Sequence, residues 1–201
     1  MDRFVIRNHL SGIDTYKKHS SFVNNKKFTK RKTRAVQLNK SNFRLGESLP
    51  HTVFLGANGG VVDLNDFHGK KKVLLTIMRG FNSNICIACV NQTAVLSRHK
   101  EQFAQADTEL AVIYPGKIET VPTFLEAVSE TDEDFKPSLP IFLDVDLSAV
   151  KKFQIEGDLS KPTTVLIDKQ GLIEYVYVGK GPTDRPSIKS LLEIIRKPAK
   201  I

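Results

Sequence analysis

Cys86 and Cys89 are the only two cysteines among 201 residues, and they are spaced as Cys86-Ile87-Ala88-Cys89. An apolar run rich in strand formers, Val73 to Met78, precedes them, and a segment of good helix formers, Val90 to about Ala106, follows. Two thiols three residues apart on the first turn of a helix lie on one side of it, within disulfide reach. The amides and dipole of the helix N-terminus favour the thiolate of the first cysteine. That combination is suited to dithiol redox chemistry. The alternative without chemistry is a pair of buried, inert cysteines at this spacing by coincidence. A zinc site would need two further ligands, and His51, His68, His99, His9 and His19 fall at no finger-like spacing. A purely structural disulfide across so short a loop would add little stability.

The elements that must hold the pair can be read around it. Thr52–Leu55 and Gly60–Val62 read as short strands joined through Ala57-Asn58-Gly59, with one helical turn over Asp63–Phe67. The strand at 73–78 leads into the cysteine-led helix, whose buried face is expected to carry Val95, Leu96 and Phe103. Glu109–Tyr114 is a further strand, Val121–Val128 a helix, and the acidic stretch Ser129–Asp134 a loop. A strand over Leu139–Leu143 and a helix over Leu147–Phe153 follow. Thr163–Ile167 and Leu172–Val178 flank Asp168-Lys169-Gln170-Gly171, a hairpin signal in which Asp168 is a turn former. A last helix puts Ile188, Leu191, Leu192 and Ile195 on one face. Strands that alternate with helices and close on a hairpin predict an α/β layered domain with a mixed sheet.

Charge divides the chain. Residues 1–45 hold 12 of the 30 Lys and Arg but only Asp2 and Asp14 as acids, a net +10, while the remainder carries 18 basic and 20 acidic residues, a net −2. We expect a basic, solvated N-terminal extension over 1–45 and a folded domain over 46–201. Targeting to an organelle is a second reading of that extension. Attraction to anionic partners is a third, but no aromatic interleaving or nucleic-acid-binding motif accompanies it. No stretch approaches the roughly 20 apolar residues of a membrane span. Two cysteines in a chain of this length do not suggest a disulfide-stapled secreted protein, so a cytoplasmic location is expected.

From about Gly46 to Lys197 the sequence resembles the thioredoxin-fold redoxins of the alkyl hydroperoxide reductase/thiol-specific antioxidant type, the peroxiredoxin-like proteins. Gly46-Glu47-Ser48-Leu49-Pro50, Val62-Asp63-Leu64-Asn65-Asp66-Phe67-His68-Gly69-Lys70 and Pro162-Thr163-Thr164-Val165-Leu166-Ile167-Asp168-Lys169-Gln170-Gly171 carry the resemblance, with Tyr177-Val178-Gly179 and Asp184-Arg185-Pro186 at its end. The family motif P-x-x-x-[TS]-x-x-C places the peroxide-reacting cysteine at Cys86 and the hydroxyl at Ser83, with Arg79 at the proline position. Where peroxiredoxins use an arginine before the late strand, this sequence has Pro162, as thioredoxins do, with Lys161 beside it.

The resemblance implies a thioredoxin-like fold, a central mixed sheet with helices on both faces. It implies a thiol peroxidase in which Cys86 is the nucleophile and Cys89 the resolving thiol, closing a Cys86–Cys89 disulfide. Ser83 would hold the thiolate or donate to the peroxide, and Arg79 and Lys161 would supply positive charge. Pro162 would correspond to the cis-proline that lines the site. No metal, flavin or nucleotide is implied, only an external thioredoxin- or glutathione-type reductant, and the protein would be a monomer or homodimer. A thioredoxin-like disulfide reductase is the alternative enzyme. A non-catalytic or redox-regulated binding module recruited through the basic segment is the alternative of another class.

Overall fold

Val73 to Ile77 are apolar except for Thr76 and are buried on both faces of the sheet, a pattern a strand takes when both faces are covered. The structure is a computed structural model and describes residues 41–81, 84–131 and 139–197. In chain order the elements are β1 (Val53–Gly56), β2 (Val61–Asp63), a 3-10 turn (Leu64–Phe67), β3 (Lys72–Ile77), α1 (Ile87–Arg98) and α2 (Lys100–Gln105). Then come β4 (Thr108–Tyr114), a second 3-10 turn (Ile118–Thr120), α3 (Val121–Thr131), β5 (Ile141–Leu143), α4 (Ser148–Phe153), β6 (Thr163–Ile167), β7 (Ile173–Val178) and α5 (Ile188–Arg196). The strands form one mixed sheet in the order β2-β1-β5-β4-β3-β6-β7. β3 runs parallel to β4, which runs parallel to β5; the other pairs are antiparallel.

Alternation along the inner strands sends side chains into two separate cores. Leu74, Val112 and Leu166 join Cys86, Cys89, Phe103, Phe124 and Leu192 under α1, α2, α3 and α5. Val73, Leu75, Ile113 and Val165 join Phe43, Val150 and Phe153 under α4. The expected arrangement of helices on both faces of a mixed sheet is therefore present. α4 is held at its start by buried Asp144, whose carboxylate accepts from the Ala149 and Val150 amides at 3.0 and 2.9 Å.

Two local expectations are corrected. The helix after the cysteines is not continuous to Ala106 but breaks at His99 (φ −101°, ψ 8°). The His99 ring Nδ1 lies 2.8 Å from the Val95 carbonyl and competes for the acceptor that the backbone ladder needs. The face of α1 that is buried carries Cys89, Val90, Thr93, Ala94 and Leu96, with Val95 only half-buried. The second correction is that Ser129–Thr131 belong to α3 and not to a loop. Their hydroxyls fold back onto the helix, Ser129 Oγ donating to the Glu126 carbonyl at 2.7 Å and Thr131 Oγ1 to the Ala127 carbonyl at 2.9 Å. Residues 132–134 of the expected loop lie outside the described residues.

Packing on the α4 side extends ahead of Gly46. Phe43 is fully buried, its ring centroid is 5.0 Å from that of Phe153, and the Asn42 amide donates to the Phe153 carbonyl at 2.8 Å. Phe153→Ala is expected to lower unfolding free energy by about 3–5 kcal/mol, measured by urea denaturation. Its effect on cysteine chemistry should be minor, because the cysteines sit in the other core.

Candidate active site

The site begins where β3 leaves the sheet. The Met78 amide donates to the Ile113 carbonyl at 2.9 Å and the Phe81 amide to the Pro115 carbonyl at 3.3 Å, so the chain follows the end of β4 before turning outward. Gly80 makes that turn at φ +94°, a conformation side chains rarely adopt. A Cβ there would strike the Pro115 carbonyl and come within 2.9 Å of Leu159 Cδ1. The chain then reaches Cys86, the N-cap of α1 (φ −78°, ψ 94°). Its carbonyl accepts from the Cys89 and Val90 amides at 2.8 and 3.0 Å, which fixes Cys89 one turn further on. The Cα atoms are 5.2 Å apart and the two sulfurs are bonded. Cys86 is 8% exposed and Cys89 2%. On either side of Cys86, Ile85 and Ile87 stand out into solvent.

The charge at this pair comes from far along the chain. Arg185 Nη2 donates toward Cys89 Sγ at 3.3 Å and toward Cys86 Sγ at 4.0 Å. Its Nη1 donates to Gln92 Oε1 on α1, and its Nε to the Pro182 carbonyl at 3.0 Å. Burial pushes the guanidinium down to about 10, so it remains charged at neutral pH. Three anchored nitrogens give it one orientation, and that orientation covers both sulfurs.

The turn after β7 sets Arg185 in place. Asp184 accepts from the Tyr177 hydroxyl and, at 2.8 Å, from the Lys180 amide. The Tyr177 hydrogen bond holds the Asp184 carboxyl below its usual range, and the same bond helps push the Tyr177 phenol up to about 12. Gly179 lies inside this turn, its amide donating to the Pro162 carbonyl at 2.8 Å. A Cβ on Gly179 would collide with the Asp184 carbonyl and reach within 3.0 Å of that of Pro162. Both neighbours are backbone, so neither can swing away. Gly179→Ala is expected to destabilise the fold by about 1–3 kcal/mol and to displace Arg185. Urea unfolding together with a slower reaction of the cysteines would show both effects.

The residues expected from sequence are placed as follows. Cys86 and Cys89 are joined. Pro162 is buried at the start of β6, where Thr163 pairs with Ile77 at the end of β3, the end of the sheet from which the cysteine loop departs. The expected cis bond is absent, since no described peptide is cis. Arg79 is paired with Asp158, and its carbonyl accepts from the Ser160 amide at 3.2 Å. Lys161 is exposed, and its carbonyl accepts the Ser160 and Thr163 hydroxyls at 3.1 and 2.9 Å. Ser83 lies outside the described residues. Arg185, quoted from sequence only as part of a terminal motif, is the cation in contact with the sulfurs. Its sequence signal was the Asp184-Arg185-Pro186 run itself, which carries no mark of where the chain will bring it.

The AhpC/TSA family pattern matches residues 45–176, a span that contains both cysteines. The chain belongs to the AhpC/TSA family. Its fold is similar to that of the reduced 2-Cys peroxiredoxin of Plasmodium vivax, at 21% identity and a TM-score of 0.62 over 75% of this chain and 79% of that one. It is similar to peroxidoxin BcpB of Mycobacterium tuberculosis, at 16% identity and a TM-score of 0.62 over 77% of this chain and 97% of that one. A yeast mitochondrial 1-Cys peroxiredoxin, described in terms of thiol resolution via glutathione/thioredoxin systems, is similar at 14% identity and a TM-score of 0.65 over 76% and 75%. At these identities the likeness bears on the fold. No curated protein sequence matches the chain. As an AhpC/TSA member it has the thioredoxin-like sheet with a dithiol at the start of the helix after β3. Among the described residues no helix is long and apolar enough to cross a membrane.

Proposed function

We propose that this AhpC/TSA protein is a thiol peroxidase that runs on the Cys86/Cys89 dithiol. The observation that supports it most is the bonded pair at the N-terminus of α1 with the Arg185 guanidinium against both sulfurs. A nearby cation favours the thiolate, the form that reacts. The Cys86 thiolate attacks the terminal oxygen of a peroxide; the O–O bond breaks, Cys86 becomes the sulfenic acid, and the alkoxide leaves as alcohol after taking a proton. The Cys89 thiolate then attacks the sulfenic sulfur, the S–S bond forms, and the hydroxyl departs as water. An external thioredoxin- or glutathione-type thiol reopens the disulfide and supplies both electrons, so none of these steps calls on a metal, flavin or nucleotide.

Ser83 is the proposed hydroxyl partner of the peroxide. Pro162, with Lys161 beside it, lines the substrate side, while Arg79 is held by Asp158 and the charge at the sulfurs comes from Arg185. The reading keeps the basic N-terminal segment as an extension of the redoxin domain, with the domain starting a few residues ahead of Gly46 because Phe43 packs on Phe153. It also places the protein, as monomer or homodimer, in a reducing compartment where the disulfide can be reopened at each turnover, the cytoplasm or an organelle reached through the basic segment.

Stopped-flow oxidation of the reduced protein by hydrogen peroxide across pH tests the reading. Rapid oxidation at neutral pH is expected; a rate no faster than that of an ordinary free thiol would overturn it. The exposed apolar pair Ile85 and Ile87 beside Cys86 favours one second reading, a protein disulfide reductase. Oxidation by a protein disulfide that outpaces oxidation by peroxide would establish it.

A further inference from the structure

Gln92 follows Cys89 on α1 at the i, i+3 spacing, which puts two side chains on the same face of a helix. One guanidinium can therefore reach both. Arg185 does so: its Nη1 donates to Gln92 Oε1, and its Nη2 donates toward Cys89 Sγ at 3.3 Å and Cys86 Sγ at 4.0 Å. Its Nε donates to the Pro182 carbonyl at 3.0 Å, a contact within its own turn. The guanidinium is planar, so two fixed N–H directions set its plane and with it the direction of the remaining nitrogen. Pro182 supplies one direction from the turn after β7, and Gln92 supplies the other from the helix that carries the cysteines. We propose that Gln92 is a positioning residue of this site, a neutral acceptor that aims the Arg185 guanidinium at both sulfurs while leaving its charge uncompensated.

Neutrality is the part of this role that the residue type decides. Arginine recruits carboxylates readily, because its fork matches their two oxygens. Here its acceptors among the described residues are an amide oxygen, a peptide carbonyl and the two sulfurs. Asp184, the carboxylate beside it in sequence, is turned to the Tyr177 hydroxyl and the Lys180 amide. Arg79, on the loop ahead of Cys86, is paired with Asp158. Tyr175, half-buried against the same core, stays a neutral phenol because burial raises it above its ordinary value. Lys180 in the turn and Lys189 on α5 are exposed, where solvent screens their charge. The field at the sulfurs is thus that of an unpaired, half-buried cation.

Two substitutions separate aim from charge. Gln92→Leu removes the acceptor and leaves Arg185 charged but anchored in one direction only, so the cation still helps the thiolate but less well. Gln92→Glu keeps the acceptor and sets a carboxylate against Nη1, where its charge opposes the cation at short range. An opposite charge within about 4–6 Å favours an ionised group by about one pH unit or more, and a like charge disfavours it. The dithiol is therefore expected to ionise at the lowest pH in the wild type, at higher pH in Gln92→Leu and at the highest in Gln92→Glu. A residue that only braced Arg185 predicts a different order. Glutamate, isosteric and a stronger acceptor, would then match the wild type, and leucine alone would depart from it.

This role of Gln92 rests on the dithiol reading above but is tested without peroxide. The reduced full chain is titrated from acid to alkaline pH, following the ultraviolet absorbance of the thiolate and the rate of alkylation by iodoacetamide. The titration midpoint of Gln92→Glu is expected about one pH unit above that of the wild type, with Gln92→Leu between them. Alkylation of Gln92→Glu below that midpoint is expected to be slower by about tenfold. Its melting temperature is expected not to fall with the rate, because the half-buried guanidinium gains a counter-charge. Wild-type ionisation in Gln92→Glu overturns the role of neutrality, and wild-type ionisation in Gln92→Leu overturns the role in aiming Arg185. A melting temperature that falls with the rate in both variants makes Gln92 a structural brace and overturns the proposal. If the three profiles fall in the expected order in a protein that reacts with peroxide no faster than a free thiol, this inference stands and the peroxidase reading fails.

Discussion

Cys86→Ser is expected to lose peroxide consumption down to the uncatalysed background, while Cys89→Ser keeps a first, single oxidation and then stops. The asymmetry follows from the chemistry of each sulfur. A serine hydroxyl is not appreciably ionised at neutral pH and is a poor nucleophile toward peroxide oxygen, so nothing replaces the Cys86 thiolate. Without Cys89 the sulfenic acid still forms on Cys86 but has no internal thiol to condense with. The Cys89→Ser protein should therefore take up a sulfenic-acid probe such as dimedone stoichiometrically and turn over only if external thiol resolves it. The fold is expected to survive both changes. On the loop-closure account a bridge spanning so few residues contributes about 2 kcal/mol at most, a shift of only a few degrees in a domain of this size. Peroxide consumption by Cys86→Ser at the wild-type rate would remove Cys86 from the mechanism. Dimedone labelling of Cys89 in that variant would reverse the two roles.

The parts of this arrangement written in local sequence were legible, and those made by distant contacts were not. The hairpin was readable at Asp168-Lys169-Gln170-Gly171 because the turn is local: Asp168 Oδ1 accepts from the Gln170 and Leu172 amides at 2.9 and 2.8 Å. β3 was readable because burial on both faces leaves an apolar run interrupted only by Thr76. The cysteine pair was readable from spacing alone, since three residues at a helix start fix the geometry. The break at His99 was not, because it depends on the rotamer of one ring competing for a carbonyl four residues back.

Arg185 was missed for a related reason. In the sequence, Arg79 and Lys161 are the cations that adjoin the motifs. Yet Arg79 faces Asp158, and the guanidinium that meets the sulfurs lies 96 and 99 residues beyond them. Only the turn built from Tyr177, Gly179, Asp184 and the Pro162 carbonyl closes that distance. None of those residues signals it by type.

Arg185→Met should therefore separate activity from stability. Removing the cation moves ionisation of the dithiol to higher pH, since an opposite charge within about 4–6 Å is worth one unit or more to the ionised form. Peroxide oxidation is expected to slow by about tenfold or more at neutral pH, with the deficit shrinking as alkaline solution ionises the thiols without help. Stability should move the other way, or not at all. Among the described residues no carboxylate is paired with Arg185, whose value burial depresses to about 10. A base depressed by folding weakens the folded state as pH drops from the usual arginine range to the depressed value, and the penalty is fully present below it. Methionine fills much of the same space with no charge to bury, so it removes the penalty. A variant with a flatter, alkaline-shifted rate profile and an undiminished melting temperature is the expected result of this substitution. If rate and melting temperature fall together, Arg185 is a structural strut; if the neutral-pH rate is unchanged, the site does not rely on its charge. The wild-type chain thus holds a half-buried cation, with no carboxylate partner among the described residues, at the one place where two sulfurs must take turns carrying a negative charge.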